Sequence, residues 1–359
     1  MDRGGLETFI MNMYRQINRE KVQFDFLCHR QGEHDYDEEI RSLGGRIYRI
    51  SRCNPLSLRY LKELDTFFSK HHYKVVHSHI NCMSSLPLAV ARRYGAAVRI
   101  AHSHSSRQDK DLKYPIKLMC KRFIRHNATD LFACGVEAGK WMFGTSNFKV
   151  IRNAVDVSSY AFDKSVRSRV RDELEIESNA LVIGHVGRFE TVKNHAFIIS
   201  VFATILDACP SAVLVLVGDG ALRNNIEKQT ISLGIFNSAR FLGIRSDVSD
   251  LLQAMDCFLM PSIYEGLPLV LVEAQATGLP CLVSDSIPED CDLGGKLVHR
   301  VSLREDVSLW AGRIMAISNV GNDRSRGVSI VRQAGFDAHD VSARLQEFYM
   351  LAAEESNEY

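Results

Sequence analysis

Short apolar, β-branched runs alternate with segments of helical apolar spacing along the whole chain. In the first half the runs predict strands at Val22–Cys28, Arg46–Ile50, Val75–His79, Val98–His102, Leu131–Cys134 and Lys149–Arg152. In the second half they predict strands at Leu181–Gly187, Val213–Val217, Arg240–Leu242, Cys257–Met260, Cys281–Ser284 and Lys296–Val298. Helical patterns such as Leu56–His71 and Ser84–Tyr94 fit between them. Continuous apolar strands joined by helical crossovers imply parallel sheets covered on both faces. The pattern runs too long for one compact sheet, so the expectation is an α/β protein of two doubly wound domains. They are placed at residues 1–160 and 161–338, with the change of domain near the polar stretch Asp156–Ser178. Residues 339–359 are read as a helix and tail. Val341, Leu345, Phe348, Tyr349 and Ala352 recur there at helical spacing, which predicts a helix docked on one domain rather than a partner-binding helix.

Composition narrows the class without changing the architecture. Of 359 residues, 46% are hydrophobic and 24% charged, which excludes disorder, collagen or coiled coil as the dominant state. The net charge of +1 hides an asymmetry. Residues 1–156 carry 26 Lys/Arg against 16 Asp/Glu, and the remainder 18 against 27. A basic first half favours an anionic partner. Nine cysteines occur with no C-x-x-C pair, mostly in apolar runs, which reads as reduced buried thiols of a cytoplasmic protein. Residues 1–21 are polar and contain arginine, unlike a signal peptide. The apolar stretch Ala196–Gly218 contains Asp207 and Pro210 and reads as a buried helix, a turn and a buried strand rather than a membrane span.

Sites in parallel sheets lie beyond the carboxyl ends of strands, so the residues after each strand carry the candidate chemistry. After Leu181–Gly187 come Arg188 and Lys193, followed by a helix start near Asn194. A guanidinium fork, an ammonium and helix-terminal N–H groups could clamp a diphosphate; the alternative is two solvated loop cations. After Val213–Val217 the run GDGALR fails the dinucleotide pattern G-x-G-x-x-G at Arg223, which argues against a dehydrogenase. A tight turn suffices for Gly218 and Gly220. After Cys257–Met260 come Glu265 in a turn and Glu273 inside an apolar helix. A carboxylate among apolar neighbours requires partners, either ligand hydroxyls or a nearby donor of the protein. His77, His79, His102 and His104 alternate at two strand ends. With no cysteine or carboxylate at ligand spacing, a metal is not expected; His77 is read as structural, satisfied by backbone groups.

Together these residues resemble the retaining glycosyltransferases of family 4, the glycosyl transferases group 1, over nearly the whole chain. Gly4-Gly5-Leu6-Glu7 is similar to their glycine-rich loop, and VVHSH and IAHSH to the strand ends that follow. VIRNAVD at 150–156, VGRFETVKN, LVGDGALR and FLGIRSDV follow in the family's order, and Glu265-x7-Glu273 matches its E-x7-E pattern. The resemblance implies the GT-B fold: two Rossmann-like domains facing a cleft, acceptor side first and nucleotide-sugar side second. It implies that Arg188 and Lys193 bind the donor diphosphate, Glu273 the ribose hydroxyls, and Glu265 the transferred sugar. Backbone amides of Gly266, Leu267 and Leu269 would lie near sugar or phosphate, and Gly4 and Gly5 would let the backbone approach the phosphates. His102, with His104 as the weaker candidate, would face the donor sugar. The implied reaction moves a sugar from a nucleoside-diphosphate donor, expected to be a UDP-sugar, to a saccharide or lipid-linked saccharide hydroxyl. It would retain configuration by front-face attack, with no metal or other cofactor, in exopolysaccharide or capsule synthesis. The alternative is a catalytically silent nucleotide-sugar-binding protein of the same fold. No nucleic-acid-binding motif accompanies the basic residues.

Two further expectations concern the first half. Residues 107–126 interleave seven Lys/Arg with Leu112, Tyr114, Ile116, Leu118, Met119, Phe123 and Ile124, which suits peripheral contact with an anionic membrane at its inner face; the alternative is a solvated helix face. The family's first strand normally precedes the Gly-Gly loop, and Met1-Asp2-Arg3 cannot supply it. The strands at Val22 and Val75 are therefore expected either to flank a gap or to pair directly in changed register, and about ten further residues are expected upstream. Unpaired backbone groups beside a gap would cost roughly 1–3 kcal/mol per buried group.

Overall fold

A computed structural model describes residues 4–105, 114–145, 147–318 and 323–355. The chain folds as two units, Met1–Ala154 with Ala338–Tyr359, and Val155–Asp337. The C-terminal helix, expected as a separate segment, is thus grouped with the first unit.

The second unit contains one parallel six-stranded sheet. Its strands are β7 (Val182–Val186), β8 (Val213–Val217), β9 (Ala239–Phe241), β10 (Cys257–Met260), β11 (Cys281–Ser284) and β12 (Val298–Val301). Their order is β12-β11-β10-β7-β8-β9. The run VLVLV of β8 shows why its sequence is apolar throughout. Val213, Val215 and Val217 point into one core with Met255, Phe258 and Leu271, while Leu214 and Leu216 point into the other with Phe202, Ile205 and Trp310. Each such fully buried side chain contributes about 1.5–3 kcal/mol. The last strand begins at Val298 rather than Lys296, because Lys296 takes a left-handed φ of 55° and still belongs to the preceding turn. At the amino end of β10, Asp256 pairs with Arg167 at 2.5 Å and Arg171 at 2.7 Å. Arg324 donates there to the carbonyls of Leu252, Gln253, Met255 and Thr277.

The first unit contains β1 (Asp25–Cys28), β2 (Arg46–Arg49), β3 (Val75–Ser78), β4 (Val98–Ser103), β5 (Asp130–Ala133) and β6 (Lys149–Val150). Among the described residues they form two parallel sheets, β1-β2 and β3-β4-β5-β6. The two strands flanking the expected gap do not pair directly. Side chains link the sheets: Tyr73 Oη donates to Asp25 Oδ2 at 2.8 Å, and Phe24 packs edge-on against Tyr349. β1 starts three residues later than its apolar run because Val22 N–H is committed to a turn with Asn18 O, at 3.0 Å. The helix Gly5–Gln16 buries Phe9 and Met13, with Ile17 just past its end, against Val341, Leu345 and Tyr349 of the helix Ala338–Glu355. All nine cysteines are free, six of them buried.

Candidate active site

In the second unit the direction of chain winding reverses between β7 and β10, which lie side by side. At such a point the loops leaving two adjacent strands diverge and open a crevice beyond their carboxyl ends. The two loops are 187–194 and 261–268, which carry Arg188, Lys193, Glu265, Gly266 and Leu267.

The 187–194 loop is held by its neighbours. Gly187 N–H donates to Val217 O at 2.9 Å, Phe189 N–H to Asp219 O at 3.0 Å, and Leu222 N–H to Phe189 O at 3.0 Å. Gly218 has φ 130°, and a Cβ there would sit 2.2 Å from Gly187 O. The glycine of the GDG turn is therefore required by the adjacent loop's backbone. A 3-10 turn at Thr191–Lys193 leads through Asn194, left-handed at φ 57°, into the helix His195–Ala208. Asn194 Nδ2 donates to Pro261 O at 3.2 Å and Ile263 N–H to Val192 O at 2.8 Å, tying the two loops together.

This tie brings Lys193 and Glu265 into contact. Lys193 Nζ donates to Glu265 Oε1 at 2.5 Å, with only 20% and 14% of the two side chains exposed. Arg188 differs: its side chain is 65% exposed and stands 3.8 Å from an equally solvated Glu190. Such an exposed pair contributes at most about 1 kcal/mol and leaves the guanidinium free to turn.

Pro268 precedes the helix Leu269–Ala276, whose first turn receives no side-chain cap. Leu269 is buried, and Leu267 packs partly against the core. A Cβ on Gly266 would meet nothing within 4 Å, so the protein's own packing does not demand glycine there. Glu273 is half-buried in this helix among Leu271, Val272 and Ala274. Burial pushes its carboxyl up to about 7, against the opposing pull of a hydrogen bond with the Tyr160 side chain. Tyr160 was not singled out by sequence reasoning; it lies in the turn Val157–Tyr160, far from Glu273 in the chain.

In the first unit, Gly4 is extended and precedes the helix Gly5–Gln16, again with no side-chain cap. Phe9 of that helix packs on the rings of His79, His102 and His104 with centroids 6.3, 5.6 and 5.6 Å away. The four histidines form a cross-strand cluster. His77 Nε2 and His102 Nδ1 are 3.1 Å apart, and His79 Nδ1 and His104 Nε2 are 2.9 Å apart. His77 Nδ1 bonds Tyr349 Oη at 2.7 Å, so side chains, not the expected backbone groups, satisfy His77. His102 is 1% exposed, with Nε2 lacking a partner, whereas His104 is half-buried. Burial drives His77 and His104 down to about 3, and His79 and His102 well below the usual imidazole value.

Of the segment 107–126, residues 107–113 lie outside the described residues. The rest lies in the helix Tyr114–Asn127, where Leu118, Met119 and Phe123 are 40%, 53% and 51% exposed. Among the described residues, no helix is long and apolar enough to cross a membrane.

The model of the family "Glycosyl transferases group 1" matches residues 166–299, and that of "Glycosyltransferase Family 4" matches residues 3–159. EpsF of Bacillus subtilis (strain 168), a glycosyltransferase by name, is 37% identical over 370 residues, spanning 99% of this chain and 96% of its own. The chain belongs to the group 1 glycosyltransferases. This glycosyltransferase is also 26% identical over 304 residues to the Escherichia coli UDP-Gal:alpha-D-GlcNAc-diphosphoundecaprenol alpha-1,3-galactosyltransferase, spanning 80% of the chain and 78% of the relative. Its fold is GT-B, with two Rossmann-like domains. The crystal structure of Anabaena Alr3699/HepE in complex with UDP superposes with a TM-score of 0.77 at 17% identity, covering 97% of this chain and 98% of the other.

Proposed function

We propose that this glycosyltransferase takes a sugar from a UDP-sugar and transfers it, with retention, to a hydroxyl of a saccharide or lipid-linked saccharide during exopolysaccharide or capsule synthesis. The observation that carries the reading is the Lys193–Glu265 pair, held at the reversal point of the sheet by two tied loops. Lys193 is a fixed cation where a diphosphate would collect charge as it leaves, and exposed Arg188 can close over it. Glu265, already oriented by Lys193, would contact the transferred sugar. Glu273, oriented by Tyr160, would hold the ribose hydroxyls. The amides of Gly266, Leu267 and Leu269 at an uncapped helix start, and those of Gly4 and Gly5 at another, supply donors for phosphate oxygens. With both carboxylates engaged, front-face attack is favoured over a covalent intermediate. The bond from the anomeric carbon to phosphate oxygen breaks with its electron pair. The acceptor oxygen bonds to the same face and passes its proton to the departing diphosphate. Two cations serve this step without a metal. His102 or His104 would face the sugar.

The name of the Escherichia coli relative gives a UDP-sugar donor and a diphosphoundecaprenol-linked acceptor, which supports the same pair of classes here. A lipid-linked acceptor accords with peripheral attachment at the inner face of the membrane through the basic, partly apolar helix Tyr114–Asn127. The deciding experiment measures transfer and hydrolysis across a panel of UDP-, GDP- and dTDP-sugars, alongside thermal stabilisation by each nucleotide. Stabilisation and turnover with a UDP-sugar are expected. Stabilisation without turnover on any acceptor would favour a silent binding protein.

A further inference from the structure

The histidine cluster contains more nitrogen donors than one sugar contact uses. Parallel pairing of Ser78 with Ala101 places His77 and His79 of one strand end beside His102 and His104 of the next. Alternation along each strand puts all four on one face. One nitrogen from each of His77, His79 and His102 lies within 4.8 Å of the other two. His77 Nε2 and His102 Nδ1, 3.1 Å apart, stand near the separation of roughly 3.4 Å expected of two nitrogens on one tetrahedral zinc. We propose that His77, His79 and His102 form a binding site for a divalent transition-metal ion of the zinc type.

The surroundings suit such an ion. Tyr349 Oη holds His77 Nδ1 at 2.7 Å, which leaves Nε2 to face the cluster. His104 Nε2 holds His79 Nδ1 at 2.9 Å, which likewise leaves Nε2 of His79. Outer hydrogen bonds of this kind fix ring orientation and tautomer in metal-binding histidines. His77 and His79 are half-buried, and His102 is buried. Three imidazoles and no carboxylate favour Zn2+, Co2+, Ni2+ or Cu2+ over Mg2+ or Ca2+.

The test uses the whole chain, stripped of metal with a chelator and titrated with Co2+, whose visible absorption reports tetrahedral nitrogen ligation. One Co2+ per chain is expected, displaced by Zn2+, and Zn2+ should raise the melting temperature. His79→Gln and His77→Gln should each weaken Co2+ binding by at least roughly tenfold, while Mg2+ should give no stabilisation. Absence of a Co2+ band in the wild type would overturn the site, as would unchanged binding in a folded His79→Gln variant. The wild-type titration decides the matter even if both variants fail to fold. None of these measurements depends on transfer activity.

Discussion

Lys193 Nζ and Glu265 Oε1 lie 2.5 Å apart, joining the loop after β7 to the loop after β10. Their side chains are largely withdrawn from water, so each is the other's main counter-charge. A ligand phosphate arriving here would draw on a cation already fixed, with little side-chain ordering left to complete.

Lys193→Ala removes that cation and leaves Glu265 unpaired. The expected loss is about 2–4 kcal/mol of transition-state stabilisation, roughly 30- to 1,000-fold in kcat/KM. Arg188→Ala should cost less, because Arg188 starts from solvent and must be ordered on binding. Steady-state kinetics with the UDP-sugar that the donor panel selects would check both. Equal kinetics for Lys193→Ala and the wild type would remove Lys193 from the site.

Glu273 makes a prediction with a defined pH sign. Burial raises its carboxyl from 4.5 to about 7, so between these values the folded protein holds a proton that the unfolded chain releases. The native state therefore loses stability as pH rises through that window. Glu273→Gln removes the ionisation. The variant should melt higher than the wild type at pH 8, and the difference should shrink at pH 5. Donor affinity should fall at pH 8, where the wild-type group is a carboxylate with two acceptor oxygens and the amide offers one. Calorimetry at the two pH values, with a UDP titration, separates the effects. An identical melting shift at pH 5 and pH 8 would contradict the burial argument.

How much of this was legible in the chain depends on how far apart the interacting residues lie. The two-sided burial of β8 is written in VLVLV, five apolar residues with no polar face. Arg188, Lys193 and Glu265 could be found because strand ends mark candidate positions. Their pairing could not, because only the order β10-β7-β8 sets the two loops side by side. Tyr160 was missed for the same reason: a tyrosine in a connecting turn carries no local sign that it will reach Glu273. Spacing along each strand shows the histidines only two by two, whereas their proximity comes from register across two strands. Sheet continuity in the first unit depends on backbone pairing, and apolar runs alone do not encode the separation of β1-β2 from β3-β6.

Gly218 supports the site without touching it. Alanine there would meet Gly187 O at 2.2 Å and must hold φ 130°, outside the comfortable range of a side-chain-bearing residue. Relief would push the 187–194 loop away from β8. Gly218→Ala should destabilise the second unit by about 2–4 kcal/mol and weaken UDP binding along with it. Gly266→Ala is the contrast: its Cβ has free space, so the melting temperature should hold while donor binding falls. Paired thermal melts and UDP titrations check this; a lower melting temperature for Gly266→Ala would show a structural role instead.

The helix Tyr114–Asn127 exposes Leu118, Met119 and Phe123 beside Arg122 and Arg125. Anionic vesicles should bind the protein at low salt and release it as salt screens the charges. Phe123→Ser with Met119→Ser should weaken flotation without lowering the melting temperature, because both side chains are already in water. No flotation with anionic vesicles at low salt would leave this face simply solvated.

The histidine cluster should make the first unit acid-labile. In the folded protein His77 and His104 titrate near 3, and His79 and His102 are lowered well below 6.5, all chiefly through burial. In the unfolded chain each titrates near 6.5. As pH falls below 6.5 the unfolded state takes up protons that the buried rings refuse, so stability is fully present above that pH and declines progressively towards 3. The slope is at most about 1.4 kcal/mol per pH unit for each group. The second unit adds His185, lowered well below 6.5, and His195, lowered to about 4, both chiefly through burial, while Glu273 acts in the opposite direction, gaining stability as pH falls towards 4.5. Calorimetry from pH 7.5 to 5, in chelator to keep metal out, should therefore show melting move to lower temperature as pH falls. His104→Gln keeps a polar group beside His79 but cannot gain a proton, so it should flatten that slope. A wild-type melting temperature that does not move between pH 7.5 and 5 would mean the rings charge freely in the folded state.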